Sequence, residues 1–279
     1  MALLELKNLK TFFATKRGTV KAVNGVSYSL DAGKVLGVVG ESGSGKSVSA
    51  MSILRLLDGN GYIDSGEILF NGVDLTKLSM NEMYKIRGNE ISVIFQEPMT
   101  SLNPVFTVSR QISEPLMIHQ GMTKKQAAAK AIELLSDVKI PNPEVVAKQY
   151  PHQLSGGMRQ RAGIARTLAM NPKVILMDEP FSAVDHLTKC TLQEELINIR
   201  QAENKTVLFV THDINEAVFL ADRVVLLSPR PSTIQKIYEI PLEQKRGRND
   251  PLLLKIAAEI AKDINSGGQD IPNNYWGNL

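Results

Sequence analysis

The 279-residue chain has few of the features that mark secreted or membrane-spanning proteins. It contains one cysteine, Cys190, so an internal disulfide is excluded. No run of about 18 apolar residues is present, which excludes a transmembrane helix. The N-terminal sequence MALLE lacks the basic start and the apolar core of a signal peptide. We therefore expect a protein that stays in the cytosol.

A strong charge of one sign is also absent. The 32 lysines and arginines nearly balance the 29 aspartates and glutamates, and the formal net charge is +3. So small an excess argues against a broadly cationic surface, and we predict no nucleic-acid partner. The length suffices for a substantial core, arranged as one large domain or as a domain with a subdomain.

What the chain does contain is a glycine-rich segment, GESGSGKS at residues 40–47, between an apolar run at 35–39 and an amphipathic stretch. This order predicts a buried strand, a turn and a helix. Glycines permit backbone angles that side chains forbid, so successive N–H groups can point at phosphate oxygens beside the helix N-terminus. Lys46 is expected to reach the β- and γ-phosphates, and the Ser47 hydroxyl to bind Mg²⁺. The segment predicts nucleoside triphosphate binding.

Apolar periodicity places this segment inside an α/β protein. Helical periodicity dominates residues 107–171, which predicts a helical insert between strands. The other helical stretches alternate with short apolar runs, as in a parallel sheet that is covered on both faces. Strands are predicted at 3–30 (an antiparallel pair), 65–72 (ending in an Asn-Gly turn), 91–95, 174–177, 206–210 and 224–227.

Four polar residues follow predicted strands, at the sheet edge where α/β proteins bind ligands. Asp178 and Glu179 follow a run of four apolar residues, so Asp178 is expected to hold Mg²⁺ and Glu179 to polarise the attacking water. Gln96 follows another strand and can contact Mg²⁺ or the water. His212 follows a third strand and can donate a hydrogen bond to the γ-phosphate.

A second glycine motif, LSGGM at residues 154–158, precedes a helical stretch at 160–170. The N–H groups of Ser155, Gly156 and Gly157 would form a second anion site at a helix N-terminus. A single ATP molecule has no need of both sites from one chain.

The motifs at 40–47, 96, 154–158, 178–179, 182–185 and 212 resemble, in kind and order, those of the ATP-binding cassette (ABC) ATPases, the motor subunits of ABC transporters. The resemblance covers nearly the whole chain. It implies an α/β P-loop NTPase cassette with a parallel RecA-like core sheet, an antiparallel β-subdomain and a helical subdomain insert. The implied cassette spans 1–240, with the helical insert at about 105–171, and a C-terminal extension with one helix and a polar tail spans 241–279.

The same resemblance implies how the sites are used. ATP and Mg²⁺ are the implied cofactors, and two cassettes pack head to tail so that each 154–158 signature completes the other's ATP site. Glu179, His212 and Gln96 are the implied catalytic residues, and Ser47, Gln96 and Asp178 the implied Mg²⁺ ligands. An aromatic ring should stack on adenine; Phe12 and Phe13 are the candidates, and alignment favours Phe13. The implied nucleotide-binding residues are Phe13, Gly40, Glu41, Ser42, Gly43, Ser44, Gly45, Lys46, Ser47, Ser155, Gly156, Gly157 and Asp185.

Two parts of the chain resemble different importers. Residues 40–160, in the N-terminal two thirds, resemble the ATPases of dipeptide, oligopeptide and nickel importers. Residues 178–231, including the segment LSPRP at 227–231, resemble those of nitrate, sulfonate and taurine importers. Because the family's permease-coupling surface lies around 97–120, we favour the peptide/nickel type and keep the nitrate/sulfonate/taurine type as the alternative.

The resemblance also implies partners and a location. The partners are a second cassette, either another copy or a paralogue, two transmembrane permease subunits and, indirectly, an extracytoplasmic substrate-binding protein. The implied location is the cytoplasmic face of the cell membrane. Peptide-importer ATPases commonly end in a cysteine cluster, whereas this chain has no cysteine after Cys190. Its tail instead predicts a helix at 252–264 that packs on the core.

Other classes of protein fit the sequence less well. A P-loop GTPase needs an Asn-Lys-x-Asp motif, and the segment that begins at Asn204 has Val207 in place of the acid. A small-molecule kinase needs neither the signature nor His212. A soluble ABC ATPase of DNA repair or translation is the alternative from another class, but such proteins carry long coiled-coil inserts or two fused cassettes.

Overall fold

The computed structural model describes residues 2–95, 102–182, 184–241 and 247–267. It divides into two compact units. The phosphate-loop unit comprises Ala2–Leu30, Val35–Thr76 and the chain from Val210 onward, and the helical unit comprises Asp31–Lys34 and Lys77–Phe209.

Within the ranges that the structure describes, the phosphate-loop unit contains two groups of strands. One is a four-stranded sheet in the order β2-β1-β4-β5, in which β4 is antiparallel to β1 and to β5. In the other group, β10 pairs antiparallel with β9, and β9 pairs parallel with β3. The strands of this unit are β1 (Ala2–Thr15), β2 (Gly18–Asp31), β3 (Val35–Val39), β4 (Gly61–Phe70), β5 (Val73–Asp74), β9 (Arg223–Leu227) and β10 (Ile234–Glu239).

Local sequence explains these strands. Leu4 pairs with Phe70 and Leu6 with Ile68, and all four are buried, because alternate residues of a strand face the same side. Between β4 and β5, Asn71 and Gly72 both have positive φ, as the tightest hairpin turns require. The predicted N-terminal strands and the Asn-Gly turn are thus confirmed, whereas β10 was not predicted.

The described residues of this unit form three helices: α1 (Lys46–Ile53), α8 (Ile214–Leu220) and α9 (Pro251–Gly267). On α9, Leu253, Ala257 and Ile260 are buried, and the helix packs against α8. The prediction that this helix packs on the core is therefore confirmed.

The helical unit contains β6 (Ile91–Ile94), β7 (Val174–Asp178) and β8 (Thr206–Val210), which lie in the order β8-β7-β6. β6 and β7 are parallel. The helices of the unit are α2 (Met80–Ile86), α3 (Val108–Gln120), α4 (Lys124–Asp137), α5 (Pro143–Val146), α6 (Gly156–Ala169) and α7 (His186–Glu203), and a 3₁₀ turn spans Pro151–Gln153.

Capping residues set the bounds of the helices between β6 and β7. Thr107 caps α3 by accepting from the Arg110 N–H, and Gly121 ends that helix with φ 64°. Thr123 and Gln126 form a capping box at the start of α4. Among the described residues, no helix is both long and apolar enough to cross a membrane.

Candidate functional site

The phosphate loop joins β3 to α1 in the phosphate-loop unit. All five residues of β3 are buried, and α1 begins at Lys46 after Gly45, whose φ is 81°. A Cβ at position 45 would lie 2.6 Å from the carbonyl oxygen of Ala22. Both the backbone angle and the lack of space therefore require glycine here.

The Lys46 ammonium lies inside the loop. Lys46 is 4% exposed, and its Nζ donates to the carbonyl oxygens of Gly40 at 2.9 Å and Glu41 at 2.8 Å. These bonds fold the side chain back over the loop from the first residue of α1. A fixed cation at the positive end of a helix is an arrangement that attracts phosphate.

A buried hydroxyl beside Lys46 shows that the loop fits an anion. Ser44 is 1% exposed, and its Oγ has no hydrogen-bond partner among the residues that the structure describes. Leaving a buried polar atom unpaired costs about 1–3 kcal/mol. A phosphate oxygen would accept from this hydroxyl, and the loop residues 41–43 are exposed. The loop is therefore suited to the phosphate groups of ATP.

The turn that carries His212 is fixed by hydrogen bonds on both sides of the histidine. Thr211 donates from Oγ1 to the buried Glu216 carboxylate at 2.5 Å, and the Asp213 N–H donates to the same Thr211 oxygen at 3.0 Å. The Thr211 N–H donates to the carbonyl oxygen of Val38 in β3 at 3.2 Å. His212 itself is exposed.

The two candidate adenine-stacking residues lie in β1 with different surroundings. Phe12 is 7% exposed, and its ring meets Tyr62 edge-on at 6.2 Å with the Lys21 ammonium 5.7 Å away. Phe13 is half-buried and lies over Gly61, where a Cβ would come within 2.8 Å of its ring. Phe12 is thus a core residue, and Phe13 stays the candidate for adenine.

In the helical unit, the candidate acids lie where β7 ends. Asp178 is the last residue of the strand and is 8% exposed. Glu179 follows in the left-handed backbone region, with φ 44°. Its carbonyl oxygen accepts from the Ser182 N–H at 3.1 Å and the Ser182 Oγ at 2.9 Å, which stabilise the turn.

The signature residues lie at the start of α6. The helix begins at Gly156, four residues earlier than predicted, and Ser155 caps it by accepting from the Met158 N–H at 3.2 Å. At Gly157 a Cβ would lie 2.8 Å from the Thr188 methyl carbon, so the starts of α6 and α7 are in contact. N–H groups at a helix N-terminus are donors of the kind that anions bind, and the anion site at the signature stays a prediction.

Asp185 lies at the neighbouring helix start. It caps α7, accepting from the Thr188 Oγ1 at 2.6 Å and the Thr188 N–H at 3.1 Å. These two bonds lower the pKa of the Asp185 carboxyl, the hydroxyl bond more than the amide bond. The structure thus brings Asp185 and the signature together through Thr188.

The predicted site residues fall into two groups. Phe13, the loop at 40–47 and His212 belong to the phosphate-loop unit, whereas the signature, Asp178, Glu179 and Asp185 belong to the helical unit. Gln96 lies outside the described residues. Thr188 and Glu216 were not among the predicted residues. Helix-start signals could have indicated them: Asp-x-x-Thr begins at Asp185 before α7, and Asp-x-x-Glu begins at Asp213 before α8.

Comparison with known proteins decides the family. The ABC transporter family matches residues 23–182 of this chain. The chain belongs to this family. The cassette is also similar in structure to a dimeric bacterial ABC transporter cassette, MJ0796, with a TM-score of 0.76 and 28% identity over 86% of this chain and 100% of the other. The predicted family and fold class are confirmed.

Two similar relatives are named as peptide transport proteins. The oligopeptide transport ATP-binding protein OppD of Bacillus subtilis is 46% identical over 226 residues, which are 81% of this chain and 63% of OppD. The dipeptide transport ATP-binding protein DppD of Lactococcus lactis is 45% identical over 80% of this chain and 64% of DppD. The chain thus spans less than two thirds of the length of these two relatives.

Proposed function

We propose that this chain is the ATP-hydrolysing subunit of an ABC importer of the peptide/nickel type. The observation that carries the proposal is the phosphate loop, in which the buried Lys46 ammonium and the unpaired Ser44 hydroxyl fit a phosphate group. Identity of 42–46% to proteins named for oligopeptide, dipeptide and peptide transport supports the importer type. Resemblance of residues 178–231 to nitrate, sulfonate and taurine importer ATPases keeps that type as the alternative.

Each predicted residue has a role in this proposal. Lys46 binds the β- and γ-phosphates, His212 donates a hydrogen bond to the γ-phosphate, and Glu179 orients the attacking water. The hydroxyl of Ser47, the carboxylate of Asp178 and the amide oxygen of Gln96 are oxygen donors of the kind that Mg²⁺ prefers. When bound, Mg²⁺ would neutralise charge on the phosphates.

We further propose that the working unit contains two cassettes. Ser155, Gly156 and Gly157 form an anion site at the start of α6, separate in sequence from the phosphate loop. The solved MJ0796 cassette is described as dimeric, and in another structure as bound to ADP and phosphate after hydrolysis. In the proposed dimer, each signature would close over the ATP that the partner's phosphate loop holds.

The remaining partners are the two permease subunits, at the cytoplasmic face of the membrane. We propose that residues 97–106 contact the permease. Residues 97–101 lie outside the described ranges, but Val105 is 68% exposed and the Arg110 guanidinium lies 3.8 Å from the Phe106 ring. A soluble ABC ATPase without a permease is the alternative from another class.

The test uses Glu179→Gln, which keeps the size of the side chain and removes its charge. We expect ATP hydrolysis to fall by at least about 100-fold while ATP binding persists, and an ATP-dependent dimer to accumulate in gel filtration. Lys46→Ala should bind no ATP and form no such dimer. Wild-type turnover in Glu179→Gln would remove Glu179 as the catalytic carboxylate.

A second arm tests the importer type. The chain would be purified with its membrane partners, reconstituted in vesicles, and assayed for ATP hydrolysis with peptides, Ni²⁺, nitrate or sulfonates as cargo. Stimulation by peptide or Ni²⁺ supports the proposal, whereas stimulation by nitrate or sulfonates alone supports the alternative. A chain that hydrolyses ATP but co-purifies with no membrane protein would favour the soluble class.

A further inference from the structure

The loop between β9 and β10 contains an arginine between two prolines, and the proposed function has not used it. This buttress loop, residues 228–233, is closed on itself. The Ser228 N–H donates to the Thr233 carbonyl at 2.9 Å, and the Thr233 N–H donates to the Ser228 Oγ at 3.0 Å. Pro229 and Pro231 fix the backbone on either side of Arg230. The arginine is thus held on a restricted backbone.

The buttress loop touches the phosphate loop at two glycines. The Arg230 Nε donates to the Gly43 carbonyl oxygen, and its Nη2 lies 3.5 Å from the place that a Cβ at position 43 would occupy. The second contact is made by Ser232, which is fully buried and whose Cβ lies 3.2 Å from the corresponding place at Gly45. Strand β2 holds Ser232 in place, because the Asn24 N–H donates to the Ser232 carbonyl oxygen at 2.8 Å. All of these residues belong to the phosphate-loop unit.

Arg230 brings a second cation to the loop. A guanidinium has five N–H donors and stays charged at any physiological pH. The bond to Gly43 uses one donor, and the side chain is exposed at the same tip where residues 41–43 are exposed. Lys46 is buried and bonds to the carbonyl oxygens of Gly40 and Glu41, whereas Arg230 is exposed and bonds to that of Gly43.

We propose that Arg230 is a positioning residue of the ATP site. Its guanidinium holds the Gly43–Ser44 peptide in the phosphate-binding conformation and adds positive charge next to the bound triphosphate. The inference rests on the proposed ATP binding of this loop. A triphosphate gains more than a monophosphate from the added charge, and exposure makes the gain sensitive to salt.

The experiment compares Arg230→Gln and Arg230→Lys with wild type in the full chain. A matched control is Arg248→Gln, because the Arg248 guanidinium lies over the Phe219 ring at 4.2 Å in the same unit. The dissociation constants of ATP and AMP are measured at two salt concentrations, together with kcat, KM and the melting temperature without nucleotide.

We expect Arg230→Gln to weaken ATP binding and to raise KM by about tenfold, with AMP binding and kcat nearly unchanged. Arg230→Lys, which keeps the charge but not the planar fork, should lie between Gln and wild type. Raising the salt concentration should weaken ATP binding less in Arg230→Gln than in wild type. Arg248→Gln should bind ATP as wild type does.

Two outcomes would overturn the inference. One is unchanged ATP affinity in Arg230→Gln at low salt. The other is a melting temperature that falls in Arg230→Gln together with equal losses of ATP and AMP binding, which is what a merely structural contact would give. Lys46→Ala separates this inference from the proposed function. If the wild-type protein binds no ATP, the proposed function fails. If Lys46→Ala loses ATP binding and Arg230→Gln keeps it, only the inference about Arg230 fails.

Discussion

Glu179 combines a proposed catalytic carboxylate with a backbone conformation that most side chains avoid. The left-handed region costs a non-glycine residue about 1–2 kcal/mol. Here the Glu179 carbonyl is held by the N–H and hydroxyl of Ser182, so the turn offsets part of this cost. Strained residues gather at active sites because the surrounding structure holds a side chain where the chemistry needs it. The strain therefore supports Glu179 as a functional residue.

Glycine at position 45 can be tested against a glycine that has the same strain but no neighbours. Gly45 and Gly72 have φ 81° and 77°, yet a Cβ at 45 would lie 2.6 Å from the Ala22 carbonyl oxygen, whereas nothing lies within 4 Å at 72. We expect Gly72→Ala to cost about 1 kcal/mol in unfolding free energy and to leave ATP binding intact. Gly45→Ala should cost about 2 kcal/mol more, because of overpacking, and should abolish ATP binding.

Denaturant unfolding and nucleotide titration of both variants check this prediction. Equal losses of stability in the two variants would mean that the backbone angle alone, and not the contact with Ala22, requires glycine at position 45.

At this scale, the sequence predicted residue types better than contacts. Phosphate chemistry requires glycine, lysine and a hydroxyl at fixed spacing, so residues 40–47 could be recognised from their order. The bonds of Lys46 to the carbonyls of Gly40 and Glu41 could not be predicted, since they depend on how the loop closes. The bond from Thr211 to Glu216 could not be predicted either, because it depends on how the turn at 211–213 leads into the first turn of α8.

At the scale of elements, a cluster of polar side chains ties α9 to β10. The Lys236 Nζ donates to Glu259 at 2.7 Å and to Asp263 at 2.9 Å, and the Tyr238 hydroxyl donates to Asp263 at 2.6 Å. The bonds from Tyr238 and then Lys236 lower the pKa of the Asp263 carboxyl, and those to Glu259 and then Asp263 raise the pKa of Lys236. Lys236 and Asp263 are therefore both charged at neutral pH.

The lowered pKa of Asp263 determines how the contribution of this carboxyl to stability varies with pH. A carboxyl whose pKa is lowered by folding stabilises the protein above its unfolded pKa of about 3.9, and this contribution is lost as the pH falls through the folded pKa. Asp263→Asn should therefore be less stable than wild type at pH 7, and the difference should shrink below about pH 4. Denaturant unfolding from pH 7 to pH 3 measures it, with the exposed Asp58→Asn as control. A difference that is the same at every pH would exclude the charge as its cause.

The same two elements show what periodicity can and cannot predict. The apolar face of α9 repeats at helical spacing, so the burial of Leu253, Ala257 and Ile260 followed from the sequence. β10 has the sequence IQKIYE, and only Tyr238 of its residues is buried. A strand with so few buried side chains carries a weak alternating signal, because its stability comes from backbone pairing to β9 and from the side chains that bind α9.

At the scale of the whole molecule, the question is whether one chain or two chains form each ATP site, and the similar solved cassette is a dimer. The phosphate loop and the signature each present N–H groups at a helix N-terminus, one at α1 and one at α6. One loop and one signature per chain suit two ATP molecules per head-to-tail dimer, because each ATP then lies between the loop of one chain and the signature of the other.

Complementation between two inactive variants tests this pairing. Lys46→Ala removes the loop function, and Ser155→Arg removes the cap and the N-terminal access of the signature. Each variant alone should hydrolyse almost no ATP. In an equal mixture, half of the dimers should contain one of each chain and one intact site, so about a quarter of the wild-type sites should be restored. ATP hydrolysis of the mixture, with dimers verified by gel filtration and folding by thermal melting, gives the result. If mixed dimers form but the mixture is no more active than the separate variants, the proposal is contradicted. It requires each ATP site to be shared by two chains and to work without the other site.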